Sequence, residues 1–271
     1  MEASIEIAQL LFQQNKYQET IETCNRILAA DTNSIEAIKL IAKSFLATKN
    51  VNRARLHLNK AINLQPNDYE LFKDLGNTYQ AAGDMNHAKI YYQKAIEINK
   101  SYAPALTNLG SIELSIGSKE NGLSLLIQAT KSDPKLVPAW GNLANGYLQL
   151  GQLQEAENAC RKAVNLNPDL FSSNFLLGSI LLERNNLQEA ELFTRKAIEI
   201  KPDLVDAHLN LGSIFTEIGN LEEAKKEFKT CIELEPNENS HIAHLLKILS
   251  SLCDWDEIEK FLPNLKSVGL Q

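Results

Sequence analysis

The chain has 271 residues, with 27 Lys and Arg against 34 Asp and Glu, a formal net charge of −7. That mildly acidic balance makes a poor general binder of nucleic acid or of anionic membrane. No apolar run is long enough to cross a bilayer, and no run of like charges marks a disordered tail.

The opening, MEASIEIAQLLFQQNKYQ, has no basic n-region and carries Glu2 and Glu6. It reads as the first helix of a repeating unit and not as a signal peptide. From there a pattern returns every 34 residues. Seven full repeats are placed at 1–34, 35–68, 69–102, 103–136, 137–170, 171–204 and 205–238, with a partial eighth over 239–271. Each is predicted to hold two helices of about thirteen residues joined by a short turn. No stretch rich in Gly, Ser or Pro interrupts the series, so no domain boundary is placed inside it.

Repeat 1 is degenerate, with Ser4, Leu11 and Thr20 at positions where other repeats carry a larger residue, an aromatic and an Ala. The small residue inside the first helix keeps the register: Ala8, Ala42, Gly76, Gly110, Ala144, Gly178, Gly212. So does the residue that closes that helix: Asn15, Gly83, Gly117, Gly151, Asn185, Gly219, types that tolerate the left-handed conformation of a helix C-terminus. Second helices open on Asn50, Asp84, Ser118, Asn186 and Asn220, whose side chains are suited to accept from first-turn amides. Pro66, Pro134, Pro168, Pro202 and Pro236 end the second helices, with Lys100 in the one gap. Repeat 4 departs at Glu113, which replaces an aromatic, and at Gly122, which replaces an Ala. A mid-helix Gly costs about 1 kcal/mol relative to Ala, so residues 118–132 are expected to form a softer helix.

Repeat 5 shows the pattern most fully, with Trp140, Leu143 and Tyr147 on one face and Ala156, Cys160 and Ala163 on the next. Repeat 6 has Asn174 where Trp140 stands, then Phe175 and Leu176; a shifted helix would turn these two inward. In the tail, Ile242, Leu245, Leu246 and Leu249 continue a first helix. Cys253-Asp254-Trp255 is read as an interruption, followed by an altered helix with Ile258, Phe261 and Leu262. The expected role of this tail is to cover the open apolar face of repeat 7. The four cysteines, Cys24, Cys160, Cys231 and Cys253, have no short spacing and read as small buried thiols of a reducing compartment.

This order of small, aromatic and proline positions resembles the tetratricopeptide repeat over nearly the whole chain. Ala54, Ala88, Ala156, Ala190 and Ala224 match the family's small residue in the second helix. The resemblance implies an all-α, right-handed α-solenoid of helix–turn–helix repeats with a C-terminal capping helix pair.

Catalytic chemistry is not found. There is no GxGxxG, GxxxxGK, HExxH or GxSxG. His57 and His87 stand alone, and His208, His241 and His244 read as packing or surface residues. No metal ligands, catalytic residues or cofactor are assigned.

In the family the first helices line the concave face. Their sixth positions here are Asp74, Asn108, Asn142, Leu176 and Asn210. An amide side chain offers one acceptor and two donors, so a row of them can hold a peptide backbone. The NLG and NLA segments resemble the asparagine ladder of O-linked N-acetylglucosamine transferases, and HLLKILSSLCDWDEIEKF resembles the stretch where those enzymes leave their repeats. Any catalytic domain would lie beyond this chain. Lys73, Asn77 and Asn108 also match three positions of the co-chaperone carboxylate clamp, but Pro138 and Asn142 stand where its two cations belong. The expectation is a cytoplasmic, non-enzymatic scaffold for a protein or peptide, with a homodimer through the convex face as the structural alternative. An extended ligand segment is expected along Lys73, Asn77, Asn108, Asn142 and Asn145, with Phe175, Leu176 and Leu182 as an apolar pocket.

Overall fold

A computed structural model describes residues 4–267, with side chains as far as Phe261. Residues 1–3, including Glu2, the Leu262 side chain and residues 268–271 lie outside that description. The chain divides into two units, one ending at Asn142 and one starting at Leu143. The first holds α1 (Ile5–Gln13), α2 (Tyr17–Ala30), α3 (Ile35–Ala47), α4 (Val51–Leu64), α5 (Tyr69–Ala81), α6 (Met85–Ile98), α7 (Ala103–Ile116), α8 (Lys119–Ser132) and the start of α9 (Val137–Gln149). The second holds the rest of α9, then α10 (Leu153–Leu166), α11 (Phe171–Glu183), α12 (Leu187–Ile200), α13 (Val205–Ile218), α14 (Leu221–Leu234), α15 (Asn239–Ser251) and α16 (Trp255–Ser267). There is no strand among the described residues, and the fold is the expected all-α series of helix–turn–helix repeats.

The turn inside each repeat depends on its fifteenth residue. Asn15, Lys49, Gly83, Gly151, Asn185, Gly219 and Cys253 all have positive φ, between 55° and 84°. Cys253 therefore does not interrupt the pattern; it is the turn residue of an eighth repeat, in register. Asp254 follows as the cap of α16, accepting from the Glu257 amide at 3.3 Å. The turn position faces outward, which corrects the expectation of four buried thiols: Cys253 is exposed, while Cys24, Cys160 and Cys231 are buried. Asn50, Asp84, Ser118 and Asn220 cap their helices as expected. Asn186 does not; its Nδ2 donates to Glu189 Oε2 at 2.8 Å, drawn there by a carboxylate that also holds Arg161.

Gly117 is the exception in the turn register, with φ −119°. The cause is Glu113. Its carboxylate pairs with Lys89 at 2.6 Å and accepts from the Ser118 amide at 3.3 Å. A Cβ on Gly117 would run into Glu113 Oε2. Glu113 in place of an aromatic and the departure of Gly117 from the turn register are thus one arrangement. Gly122 has a packing reason as well: a Cβ there would lie 2.8 Å from the Gly110 carbonyl oxygen. The helix expected to be soft runs unbroken through Lys119–Ser132, with its backbone close against α7.

Within a repeat, the eighth residue of the first helix meets the twenty-fourth residue, on the second. Gly76 faces the ring of Tyr92, Gly110 faces Leu126, and Gly212 faces Phe228, with an added Cβ at 2.6, 2.8 and 2.7 Å respectively. Where the eighth residue is alanine, the register partner is Cys24 at Ala8 and Leu58 at Ala42. Small opposes large, so the backbones approach without a void. At the end of the second unit, Leu245, Ile248 and Leu249 of α15 join Leu211, Phe215 and Phe228 in one buried cluster, with Ile258 and Phe261 of α16 packed against it.

A third register fixes each first helix to the turn before it. At the fourth position, Trp140 Nε1 donates to the Pro134 carbonyl at 2.9 Å, and Asn174 Nδ2 to the Pro168 carbonyl at 2.8 Å. His208 Nε2 lies 3.0 Å from the Pro202 carbonyl. Three chemically unlike side chains make one bond, because a carbonyl preceding the helix needs only an N–H at the right height. Asn174 is fully buried by this pin, so α11 is not shifted, and Phe175 and Leu176 stay half-exposed.

Two predictions follow from these contacts. Gly212→Ala gains helix propensity of about 1 kcal/mol but forces its Cβ onto Phe228, and overpacking costs about 1–3 kcal/mol. The net loss of stability should vanish in a Phe228→Leu background, read as a double-mutant cycle from urea midpoints. The second concerns His208, whose Nδ1 lies 2.7 Å from Glu227 Oε2. Both ring nitrogens face acceptors, so the doubly protonated ring is favoured, and the bond to Glu227 raises its pKa against the opposing effect of burial. A raised folded pKa gives stability that is complete below the unfolded value of about 6.5 and is lost as pH rises through the folded value. Urea midpoints taken upward from about pH 6 should fall more steeply for the wild type than for His208→Gln.

Candidate functional site

In the first unit, the expected contact residues are held by one another. Lys73 Nζ bonds Asp74 Oδ1 at 2.5 Å, and Asp74 is only 7% exposed. This pairing occupies the ammonium that a carboxylate clamp would present. Asn77 and Asn108 are half-buried and joined: Asn108 Nδ2 donates to Asn77 Oδ1 at 2.9 Å. The single proton of the Tyr92 hydroxyl lies between two acceptors, the same oxygen at 2.8 Å and Gln80 Oε1 at 2.6 Å. Among the described residues, neither Asn77 Nδ2 nor Asn108 Oδ1 has a protein partner. The pair therefore offers a donor and an acceptor side by side, the complement of a peptide unit. Asn142 is half-buried and makes no side-chain bond among the described residues.

Tyr92 and Gln80 were not legible as site residues. The register reads Tyr92 as core, and its ring is indeed fully buried over Gly76. The available signal was a Tyr where repeats 4, 5 and 6 carry Leu126, Cys160 and Thr194, opposite a glycine that lets the longer ring pass.

In the second unit, Asn145 is exposed. Asn210 Nδ2 donates to Ser179 Oγ at 2.7 Å, and Ser179 in turn donates to the Phe175 carbonyl at 3.0 Å. This is the same step seen between Asn108 and Asn77, from a sixth position back to the ninth position of the preceding repeat. Phe175, Leu176 and Leu182 are all half-buried on α11. A small cavity of about 160 Å³ lies elsewhere in this unit, lined by Ser213, Thr216, Glu217, Phe228, His244 and Lys247 among others. His244 stacks on Phe228 with ring centroids 5.3 Å apart. Among the described residues, no group of three or more His, Cys, Asp or Glu side chains converges as metal ligands, and no helix is long and apolar enough to cross a membrane.

Sequence signatures of the tetratricopeptide repeat match residues 11–78, 74–102, 137–170, 171–204 and 205–238. No curated protein matches the chain significantly by sequence. Among solved structures, PilF of Pseudomonas aeruginosa superposes with a TM-score of 0.71 at 17% identity, covering 80% of this chain and 97% of its own. A chain of the APC/C hetero-tetramer Cut9–Hcn1 gives 0.67 at 16% identity, covering 95% of this chain and 49% of its own. YrrB, described as a TPR protein with an unusual peptide-binding site, gives 0.58 at 22% identity, covering 69% of this chain and 96% of its own. At these identities the likeness is one of fold.

Proposed function

The chain belongs to the tetratricopeptide repeat family, and we propose that it is a protein-interaction scaffold whose first helices hold an extended peptide by its main chain. The observation that carries this reading is the Asn77–Asn108 pair, ordered by internal bonds yet left, among the described residues, with one unbonded NH₂ group and one unbonded carbonyl. Asparagine is a poor helix former, and two of them facing each other mid-helix serve an external partner better than they serve the helix. Asn142 and Asn210 continue the sixth-position series in their own units. The finer reading is a substrate-recruiting module similar to the repeats of O-linked N-acetylglucosamine transferases, binding rather than catalysing. Against a carboxylate clamp stands the Lys73–Asp74 pair. Three buried thiols in separate repeats accord with a reducing compartment such as the cytoplasm.

The test begins with a peptide selected from a random display library on the purified chain. Calorimetry then compares the wild type with Asn77→Ala/Asn108→Ala. Each lost hydrogen bond is worth about 0.5–1.5 kcal/mol, so the double variant should bind about tenfold more weakly. Its thermal unfolding should be lowered only slightly, because the lost internal bonds are half-exposed and Gln80 Oε1 still accepts from Tyr92. Equal affinity in two equally folded proteins would overturn the reading.

A further inference from the structure

The Asn77 carbonyl oxygen has two lone pairs, and both face donors. One accepts from Asn108 Nδ2, and the other faces the Tyr92 hydroxyl, whose one proton Asn77 shares with Gln80 Oε1. An asparagine alone can swap its oxygen and nitrogen by rotating about χ2, presenting a donor or an acceptor as the ligand requires. Asn77 cannot do this without placing its NH₂ group against the Asn108 NH₂ group and giving up its share of the Tyr92 proton to Gln80. What remains outward is NH₂ only.

Tyr92 is well placed to enforce this. Its ring is fully buried against Gly76, so the hydroxyl stands at a fixed point. Burial, with the nearby Asp74 charge, holds its pKa well above the ordinary tyrosine value, and it remains a donor throughout the neutral range. The second unit supplies a contrast. There Asn210 makes the same step back to Ser179, but the twenty-fourth residue is Thr194, whose hydroxyl has no partner among the described residues. The asparagine step thus occurs both with and without a hydroxyl bonded behind it, and only repeat 3 has the tyrosine.

We infer that Tyr92 is a positioning residue that fixes Asn77 as an obligate donor towards a carbonyl group of the bound peptide. This rests on the peptide-binding reading above and adds a residue that would never touch the ligand.

Tyr92→Phe keeps the ring over Gly76 and removes only the hydroxyl. In the full chain, the Asn77 side-chain NH₂ resonances should shift and show faster local motion in ¹⁵N relaxation, while those of Asn210 stay unchanged. Affinity for the display-selected peptide should fall about threefold to tenfold, the equivalent of one hydrogen bond. Gln80→Leu removes the competing acceptor, and there the Asn77 amide should stay as ordered as in the wild type. An Asn77 amide unaffected by Tyr92→Phe, or one loosened by Gln80→Leu, would overturn the inference. So would unchanged peptide affinity in a Tyr92→Phe chain when Asn77→Ala/Asn108→Ala does weaken binding. If neither variant changes affinity, the peptide site itself is misplaced. In that case the relaxation data alone decide whether Tyr92 orders Asn77, and unchanged relaxation would overturn it.

Discussion

The contact on which everything else depends is the one between the eighth and twenty-fourth residues of a repeat. It brings two helix backbones so close that one side must be glycine or alanine. Once that distance is set, the other choices follow. Tyr92 can lie across α5 only because Gly76 has no Cβ, and Phe228 lies against α13 for the same reason. The volume removed from one helix is returned by the other, which keeps packing dense without a fixed residue at either place. A ring long enough to cross a glycine also carries its far end to the flank of the first helix, beside Asn77 and Gln80. At Tyr92 that far end is a hydroxyl, and a packing solution becomes a polar one.

Much of the fold was legible because its rules are positional. Turn, cap, small residue and proline each recur at one spacing, and each has a reason in backbone sterics or hydrogen bonding. Legibility ended where side chains substitute for one another by geometry rather than by type. Trp140, Asn174 and His208 share no property in a sequence beyond an N–H, yet they make one bond to one class of carbonyl. Lys49 and Cys253 fill a left-handed position that residue type argues against, because the register leaves them no alternative. Reading Cys-Asp-Trp as an interruption gave too much weight to residue type and too little to position.

The candidate site was legible only as a set of positions. The sequence singles out Asn77 and Asn108, but not that they bond to each other, and it ranks Lys73 and Asp74 as ligand contacts when they are each other's partners. Long-range pairing of polar groups 31 residues apart has no local signature. It depends on the rise and rotation from one repeat to the next, which periodicity alone does not specify. Tyr92 was hidden for the same reason: a residue can belong to the core by its ring and to the surface chemistry by one atom.

The Glu113 arrangement bears on how such an array can change over evolutionary time. An array built by duplication is interchangeable so long as each unit contains what it needs. Repeat 4 does not. Its turn is shaped by a carboxylate whose counter-ion, Lys89, is supplied by repeat 3. Copying repeat 4 beside a different neighbour would leave Glu113, only 5% exposed, without its ammonium. Losing Glu113 alone would leave Gly117 in a backbone shape with nothing to hold it. Repeats 3 and 4 are therefore coupled, and any duplication or deletion that separated them would carry the cost of a buried, unpaired carboxylate.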